Sequence, residues 1–365
     1  MKFRTTLILF LLVAGAFLYL WYVDRHTPST EEKERVAKRV FRTFEPAKVT
    51  AIDLDIVSRE NDTGAVVAAE SYALERDVTG WRVTSPVSFP ADGAKVRQML
   101  DAVKKLDRNR IIEGEEYAEF DRVAAGLDDP AIRATFSMPA TSLTVRVGRD
   151  APVGWDAYIE LDGDAAAYMV PRRFRESLTV STNDIGSDIR RREIFDVSMY
   201  RINSLVMDMP TGTVELRRDP DLLWRVTQPV NDYASADAVA ELLELAEAMR
   251  VASFTTPPDD FGPPRLTLTV VEGGASQQLR VGPEAPGASP ARCVARRSEY
   301  DQYFTVDEAD VAPFMKRADA YRAKQLLIFN QFENPEALTQ QVGDESVTFA
   351  KKDGTWGIEG LDSPL

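Results

Sequence analysis

Val49 to Ile56 alternates strictly between apolar and polar positions, with Ile52, Leu54 and Ile56 on one face and Asp53 and Asp55 on the other. A period of two is the mark of a half-buried strand. Ser71 to Arg76 and Trp81 to Thr84 continue the pattern across a turn at Asp77 to Gly80, and Pro86 stops the third strand because it has no N–H to give a ladder. The period then changes. Asp92 caps a segment in which Val96, Met99, Leu100, Val103 and Leu106 recur at helical spacing, so one apolar helix face is expected to cover the sheet. Strands follow near Arg110 to Ile112, Ala131 to Phe136 and Leu143 to Val147. Ala157 to Leu161 and Ala167 to Val170 face each other across Asp162-Gly163-Asp164, and Pro171 opens a short helix.

The same order returns. WRVTSPV at Trp81 to Val87 reappears as WRVTQPV at Trp224 to Val230, 143 positions later (224 minus 81), with six of seven residues unchanged. Such self-similarity reads as a structural repeat. In the second unit Phe195 stands where Phe44 heads the first. Leu205 to Met209 and Thr213 to Arg217 precede Trp224, and Ser235 caps a helix with Val239, Leu242, Leu243, Ala246 and Met249 on one face. Leu266 to Val271 is the strand beyond it, Leu279-Arg280-Val281-Gly282 echoes Val145-Arg146-Val147-Gly148, and Gln302 to Val306 echoes the strand at Ala167. A third unit opens: Arg322 to Phe329 resembles Arg190 to Phe195, Ser346 to Lys351 is a strand, and Trp356-Gly357-Ile358 is another. The helix cap follows each earlier tryptophan by eleven residues (92 minus 81, 235 minus 224), which would place the third at 367, past Leu365. Either the chain is a piece of a longer protein or these strands cap the second unit.

Thr5 to Val23 carries no charge and is rich in Leu, Phe, Val and Ala. At about 1.5 Å per residue it nears the thickness of a bilayer core, so a transmembrane helix is expected. Cleavage at Ala14-Gly15-Ala16 is the rival reading. Lys2 and Arg4 directly before the run give a signal-anchor layout, with the large domain outside an inner (cytoplasmic) membrane, on the periplasmic side; the positives from Arg25 to Arg42 argue the reverse. The expected organisation is a basic tail at 1–4, the span at 5–23, a polar helical stalk at 24–43, repeat module one at 44–190, module two at 191–320 and an incomplete module three at 321–365. The fold class is α+β, a tandem repeat of antiparallel-sheet modules each covered by a helix.

Composition narrows the chemistry. A net charge of -14 argues against nucleic acid as a partner. The one histidine, His26, lies beside the apolar run, and the one cysteine, Cys293, sits in an alternating segment as a small buried hydrophobe. Serine, cysteine or zinc catalysis normally uses a histidine, and no phosphate-cradling loop is present, Gly273-Gly274 being a hairpin turn. No catalytic, cofactor-binding or metal-ligating residue is therefore assigned. The acids Asp128 and Asp129, Asp162 and Asp164, and Asp259 and Asp260 lie in turns, where Asp bonds its own backbone; a carboxylate pair of a glycosidase is the alternative. Trp81 and Trp224 read as largely buried anchors, and Trp155, in a loop after Val153-Gly154, is the candidate for stacking a ligand. Arg190-Arg191-Arg192 reads as a solvated linker.

The apolar N-terminal run, the W-x-[VI]-x-x-P heptads, the helix, the G-L-x-x-P turn and the L-x-V-G strand together resemble the DUF4340 family. The resemblance runs from Phe44 to Trp356 and rests on Trp81, Pro86, Gly126, Leu127, Pro130, Val147 and Gly148, then on Trp224, Pro229, Gly262, Pro264, Val281 and Gly282, with Pro263 in place of the usual leucine. It implies a membrane-anchored envelope protein associated with ABC transporter permeases and gliding-motility-like components, without catalytic residues to carry over. The expected function is a non-enzymatic accessory or scaffold subunit with a membrane-protein partner; the alternative is an envelope polymer- or glycan-binding module.

Overall fold

A computed structural model describes residues 36–59, 66–180, 186–285, 287, 289–325, 335–343, 345–352 and 354–359, with 13, 15 and 17. The expected span at Thr5 to Val23, apart from 13, 15 and 17, most of the stalk and the end of the Arg322 to Phe329 segment lie outside the described residues. Among the described residues no helix is long and apolar enough to cross a membrane. The chain divides into two compact units, Met1–Arg192 with Tyr300–Gln302, and Glu193–Glu299 with Tyr303–Leu365.

The first unit holds β1 (Ala51–Arg59), β2 (Val66–Asp77), β3 (Gly80–Ser85), β4 (Phe89–Pro90), α1 (Gly93–Lys104), β5 (Arg110–Glu113), α2 (Glu115–Ala118), β6 (Ile132–Met138), β7 (Thr141–Asp150), β8 (Asp156–Leu161), β9 (Ala166–Pro171) and α3 (Arg173–Leu178). All pairs are antiparallel, in the order β4-β3-β2-β1-β6-β7-β8-β9-β5. α1 leaves from the β4 edge and delivers the chain to β5 at the opposite edge, so it must cross one face of the sheet. Asp92 starts it by accepting from the N–H groups of Ala94 and Lys95, as its spacing predicts. Val96, Met99, Leu100 and Val103 then pack with Ile52, Leu54, Leu74, Phe136, Val145 and Ile159 in one core. The pairs Ile52↔Leu74 and Ile52↔Phe136 keep the apolar alternation of three strands on that face.

The second unit repeats this plan: β10 (Ile202–Met209), β11 (Gly212–Arg218), β12 (Trp224–Gln228), β13 (Asp232–Tyr233), α4 (Ala236–Ala248), β14 (Ser253–Thr255), β15 (Leu266–Glu272), β16 (Ala275–Glu284), β17 (Arg292–Arg297), β18 (Tyr303–Asp307) and α5 (Glu308–Val311). Its order, β13-β12-β11-β10-β15-β16-β17-β18-β14, is that of the first sheet position for position. Ser235 caps α4 through Ala238 N–H, and Val239, Leu242, Leu243 and Ala246 are buried. β19 (Ala337–Val342), β20 (Glu345–Lys352) and β21 (Thr355–Ile358) make a three-stranded antiparallel sheet of their own. Trp356 stands opposite Lys351, just as Trp81 stands opposite Arg76 and Trp224 opposite Arg218. The architecture is thus α+β with strands predominating.

Several expectations need correction. Trp81 and Trp224 occupy equivalent sites, each carbonyl accepting from an alanine N–H, Ala91 at 2.8 Å and Ala234 at 2.9 Å, but both are half-buried. Only a two-residue strand lies outside them, which leaves one side of each ring uncovered. Pro86 and Pro229 end the two strands as expected, each after a cis peptide. Phe41, not Phe44, is the counterpart of Phe195: Val40 and Ile194, the residues before them, donate to the matching carbonyls of Leu106 and Met249. Arg190 is buried on Asp188 and bridges Ala91 at the sheet edge, so this part of the linker is built into the fold.

Candidate functional site

One rim of each sheet, formed by the loop between the seventh and eighth strands and by the exit of the ninth, carries most of the chemistry. In the first unit the loop runs from Asp150 to Asp156, closed by Ala151 N–H on the Asp156 carbonyl, 2.8 Å, and turned at Gly154 with φ +93°. That positive φ suits glycine. Trp155 is 76% exposed and Val153 85%. The indole is nonetheless held: Arg172 N–H donates to the Trp155 carbonyl at 2.8 Å, and the Arg172 guanidinium lies 4.9 Å from the ring centroid. Arg175 grips both oxygens of Asp150, at 3.0 and 3.1 Å, and Arg172 approaches the same carboxylate at 3.9 Å. The result is a pre-positioned aromatic tip flanked by ion-paired arginines. Trp155 is exposed, as its place in a loop after Val153-Gly154 predicts, and the surrounding arginines were not foreseen.

The equivalent rim of the second unit holds an ionic cluster around a buried thiol. Register places Glu284, Cys293 and Glu308 at the positions of Asp150, Ala157 and Arg172. The Cys293 thiol donates to the Glu308 carboxylate, which Arg265 binds at 3.2 Å while also reaching Glu284 at 3.6 Å. Burial, then the hydrogen bond to Glu308, pushes the thiol pKa up to about 12. The side chain is fully buried, as its alternating segment suggested, yet it is a member of an ionic cluster. A thiol held protonated is a poor nucleophile.

A second polar group lies on the outer face of the first sheet, beneath the segment containing α2. Glu160, only 4% exposed, takes the Tyr117 hydroxyl, Arg122 at 2.8 Å and Arg146 at 3.6 Å. Burial, then the bond to Glu160, raises the Tyr117 pKa. The same segment buries Leu127 of the G-L-x-x-P turn with Ile112, Ala125 and Ala167. Gly148 explains its place in the motif: a Cβ there would collide with the Ala125 carbonyl, which accepts from Arg149 N–H at 2.8 Å. In the second unit Gly282 has the same function with another partner, the Phe261 ring, 2.5 Å from where a Cβ would stand. Arg296, at the position of Glu160, lies over Phe261 and Tyr303.

The turn acids are committed elsewhere. Asp128 pairs with Arg122 at 3.3 Å and Asp162 with Arg146 at 2.7 Å, while Asp164 accepts from Tyr168 and Asp260 from Gly262 N–H. Among the described residues no group of three or more His, Cys, Asp or Glu is placed to hold a metal. Gly273-Gly274 makes the expected hairpin turn between β15 and β16. Sequence reasoning missed Glu160 because it sits in an ordinary strand alternation; its one signal was a charge between Ile159 and Leu161.

No curated protein and no solved structure matches the chain. One family does: the family described as Domain of unknown function (DUF4340) matches residues 81–265, from the first repeated tryptophan through the turn after α4. That stretch is half of the chain and contains both heptads, the Gly126 to Pro130 turn, its counterpart at Gly262-Pro263-Pro264 and Gly148, so the chain belongs to the DUF4340 family.

Proposed function

We propose that this protein is a non-enzymatic accessory or scaffold subunit of a bacterial envelope complex of the ABC-transport kind, anchored by Thr5 to Val23 with its sheets on the periplasmic side and bound to a membrane protein such as a transporter permease. The observation that carries the reading is that one solidly packed module is built twice while its polar groups are locked against one another: Asp162, Asp164, Glu160 and Glu308 each answer to an arginine, a tyrosine or a thiol of the fold. Such an arrangement offers surface to a partner in place of convergent reactive groups. The apolar N-terminal run and the family's architecture agree with it. Mild-detergent extraction of the full chain, with cross-linking and mass spectrometry, should recover a membrane protein in stoichiometric yield; recovery of the chain alone would refute the scaffold role.

A second reading, binding of an envelope glycan, is favoured by the exposure of Trp155. Retention of the full chain on cell-wall glycan, lost on Trp155→Ala, is the outcome that would replace the first reading.

A further inference from the structure

We infer that the Val153–Trp155 tip with Arg172, Arg173 and Arg175 is a lipid-contacting surface that rests against an anionic bilayer. The inference rests on the anchored reading and adds which end of the first sheet faces the membrane. Strand direction supplies the first argument. β1 ends where β6 begins, since Ile56 pairs with Ile132, and β7 runs toward that same end, since Ile132 pairs with Val147. The tip therefore projects from this end, whereas the β2–β3 turn with Val78 lies at the other, where Ala51 pairs with Glu75.

The second argument is where the chain enters. Arg39 bridges Asp107, Val40 N–H donates to Leu106 and Arg108 N–H to Lys38, both at 2.9 Å. Asn109, next along, donates from its backbone to Met169 and from its side chain to Asp156, the residue after Trp155. Leu106 and Asp107 also line one groove with Pro171, Arg173 and Phe174. The segment arriving from the apolar run thus meets the sheet beside the tip. Thirteen positions separate Val23 from Val36 (36 minus 23), at most about 45 Å of extended chain.

The third argument is composition. A tryptophan and an aliphatic residue exposed side by side, with arginines behind them, match the bilayer interface: the indole sits at headgroup depth, Val153 meets the acyl boundary and the exposed Arg173 meets phosphate, while Arg172 and Arg175, paired with Asp150, hold the tip in place. A sugar would use the ring but leave Val153 in water. The chain's charge of -14 opposes approach to anionic lipid, but screening over about 8–10 Å confines the balance to the tip.

The test places an environment-sensitive fluorophore at Val153→Cys in a Cys293→Ala full chain reconstituted into phosphatidylglycerol-containing vesicles bearing a lipid-borne quencher. A second chain carries it at Val78→Cys. Flotation at high salt reports the anchor separately. The expected result is flotation, with quenching at 153 and none at 78, and a roughly fivefold loss of the contacting fraction for Arg173→Ala, the equivalent of about 1 kcal/mol for one basic residue. Flotation without quenching at 153 overturns the tip contact and leaves the anchor standing. Loss of flotation overturns the anchor; quenching that persists at low salt would then support the tip alone, and its absence would sink both. A spectral response to soluble cell-wall glycan and not to vesicles assigns the tip to a polymer and also overturns the proposal.

Discussion

Set side by side, the two nine-stranded modules agree on their inward faces and differ on their outward ones. Inside, Ile52 and Leu205, Leu74 and Leu216, Val83 and Val226 hold matching sites, and the helices exchange Met99 for Leu242 and Val103 for Ala246 while all stay buried. Apolar swaps that keep the pattern are tolerated well. On the outer face Glu160 becomes Arg296, and at the rim, where the inward face meets the loop, Ala157 becomes Cys293 and Arg172 becomes Glu308. The exposed side of α1 carries Arg97, Asp101 and Lys104, whereas that of α4 carries Asp237, Glu241 and Glu244. The core defines the module, and the outer cover and rim give each copy its own surface: an open aromatic tip in the first, an ionic cluster around a buried thiol in the second.

The comparison breaks most sharply at the outer cover. Glu160→Ala strips the Tyr117 hydroxyl of its acceptor and Arg122 and Arg146 of a shared carboxylate, leaving them Asp128 and Asp162, and chemical denaturation of the full chain should show a loss of about 3 kcal/mol from the first unit. Arg296→Ala in the second unit removes only ring contacts and should cost about 1 kcal/mol. Equal losses would mean that the two covers are energetically alike. The glycines sharpen it further. Gly148→Ala drives a methyl into a backbone carbonyl and should cost about 2–3 kcal/mol, whereas Gly282→Ala meets a ring that can swing aside and should cost about 1 kcal/mol. The reverse order in thermal melts would discard the account of the motif glycine.

The smallest effect concerns Cys293. Its counterpart is Ala157, and Glu308 keeps Arg265 when the thiol goes, so Cys293→Ala should change stability by about 1 kcal/mol or less. The sign of its pH dependence is fixed: a thiol pKa raised to about 12 from the ordinary 9.0 means that the folded chain holds a proton which the unfolded chain loses. This contribution is complete below pH 9 and is lost as pH climbs toward 12. Alkylation in the native protein should accordingly be slow at pH 8 and fast only in denaturant. Rapid native labelling would show the rim to be open.

Much of this fold was written locally. The strand alternation from Ala51 to Ile56, the caps Asp92 and Ser235 and the two heptads each fixed an element and its repeat, because backbone geometry imposes periods of 2 and 3.6 on any face that must be buried. The exposure of Trp155 was legible too, from a glycine turn beside it. Other features were not. The pairing of β5 with β9 joins segments more than fifty positions apart, after a helix has carried the chain across the sheet, and the two-residue strands β4 and β13 are too short to show a period. Those short edges left Trp81 and Trp224 half-buried where the motif suggested anchors. What the sequence by itself determined is which residues face inward and that the module occurs twice, since burial is a periodic demand on neighbours along the chain. Only the tertiary structure decided which acid meets which arginine, why Cys293 keeps its proton and why Trp155 shares an end with the incoming chain, because those outcomes depend on segments that meet only after the sheet has closed over its helix.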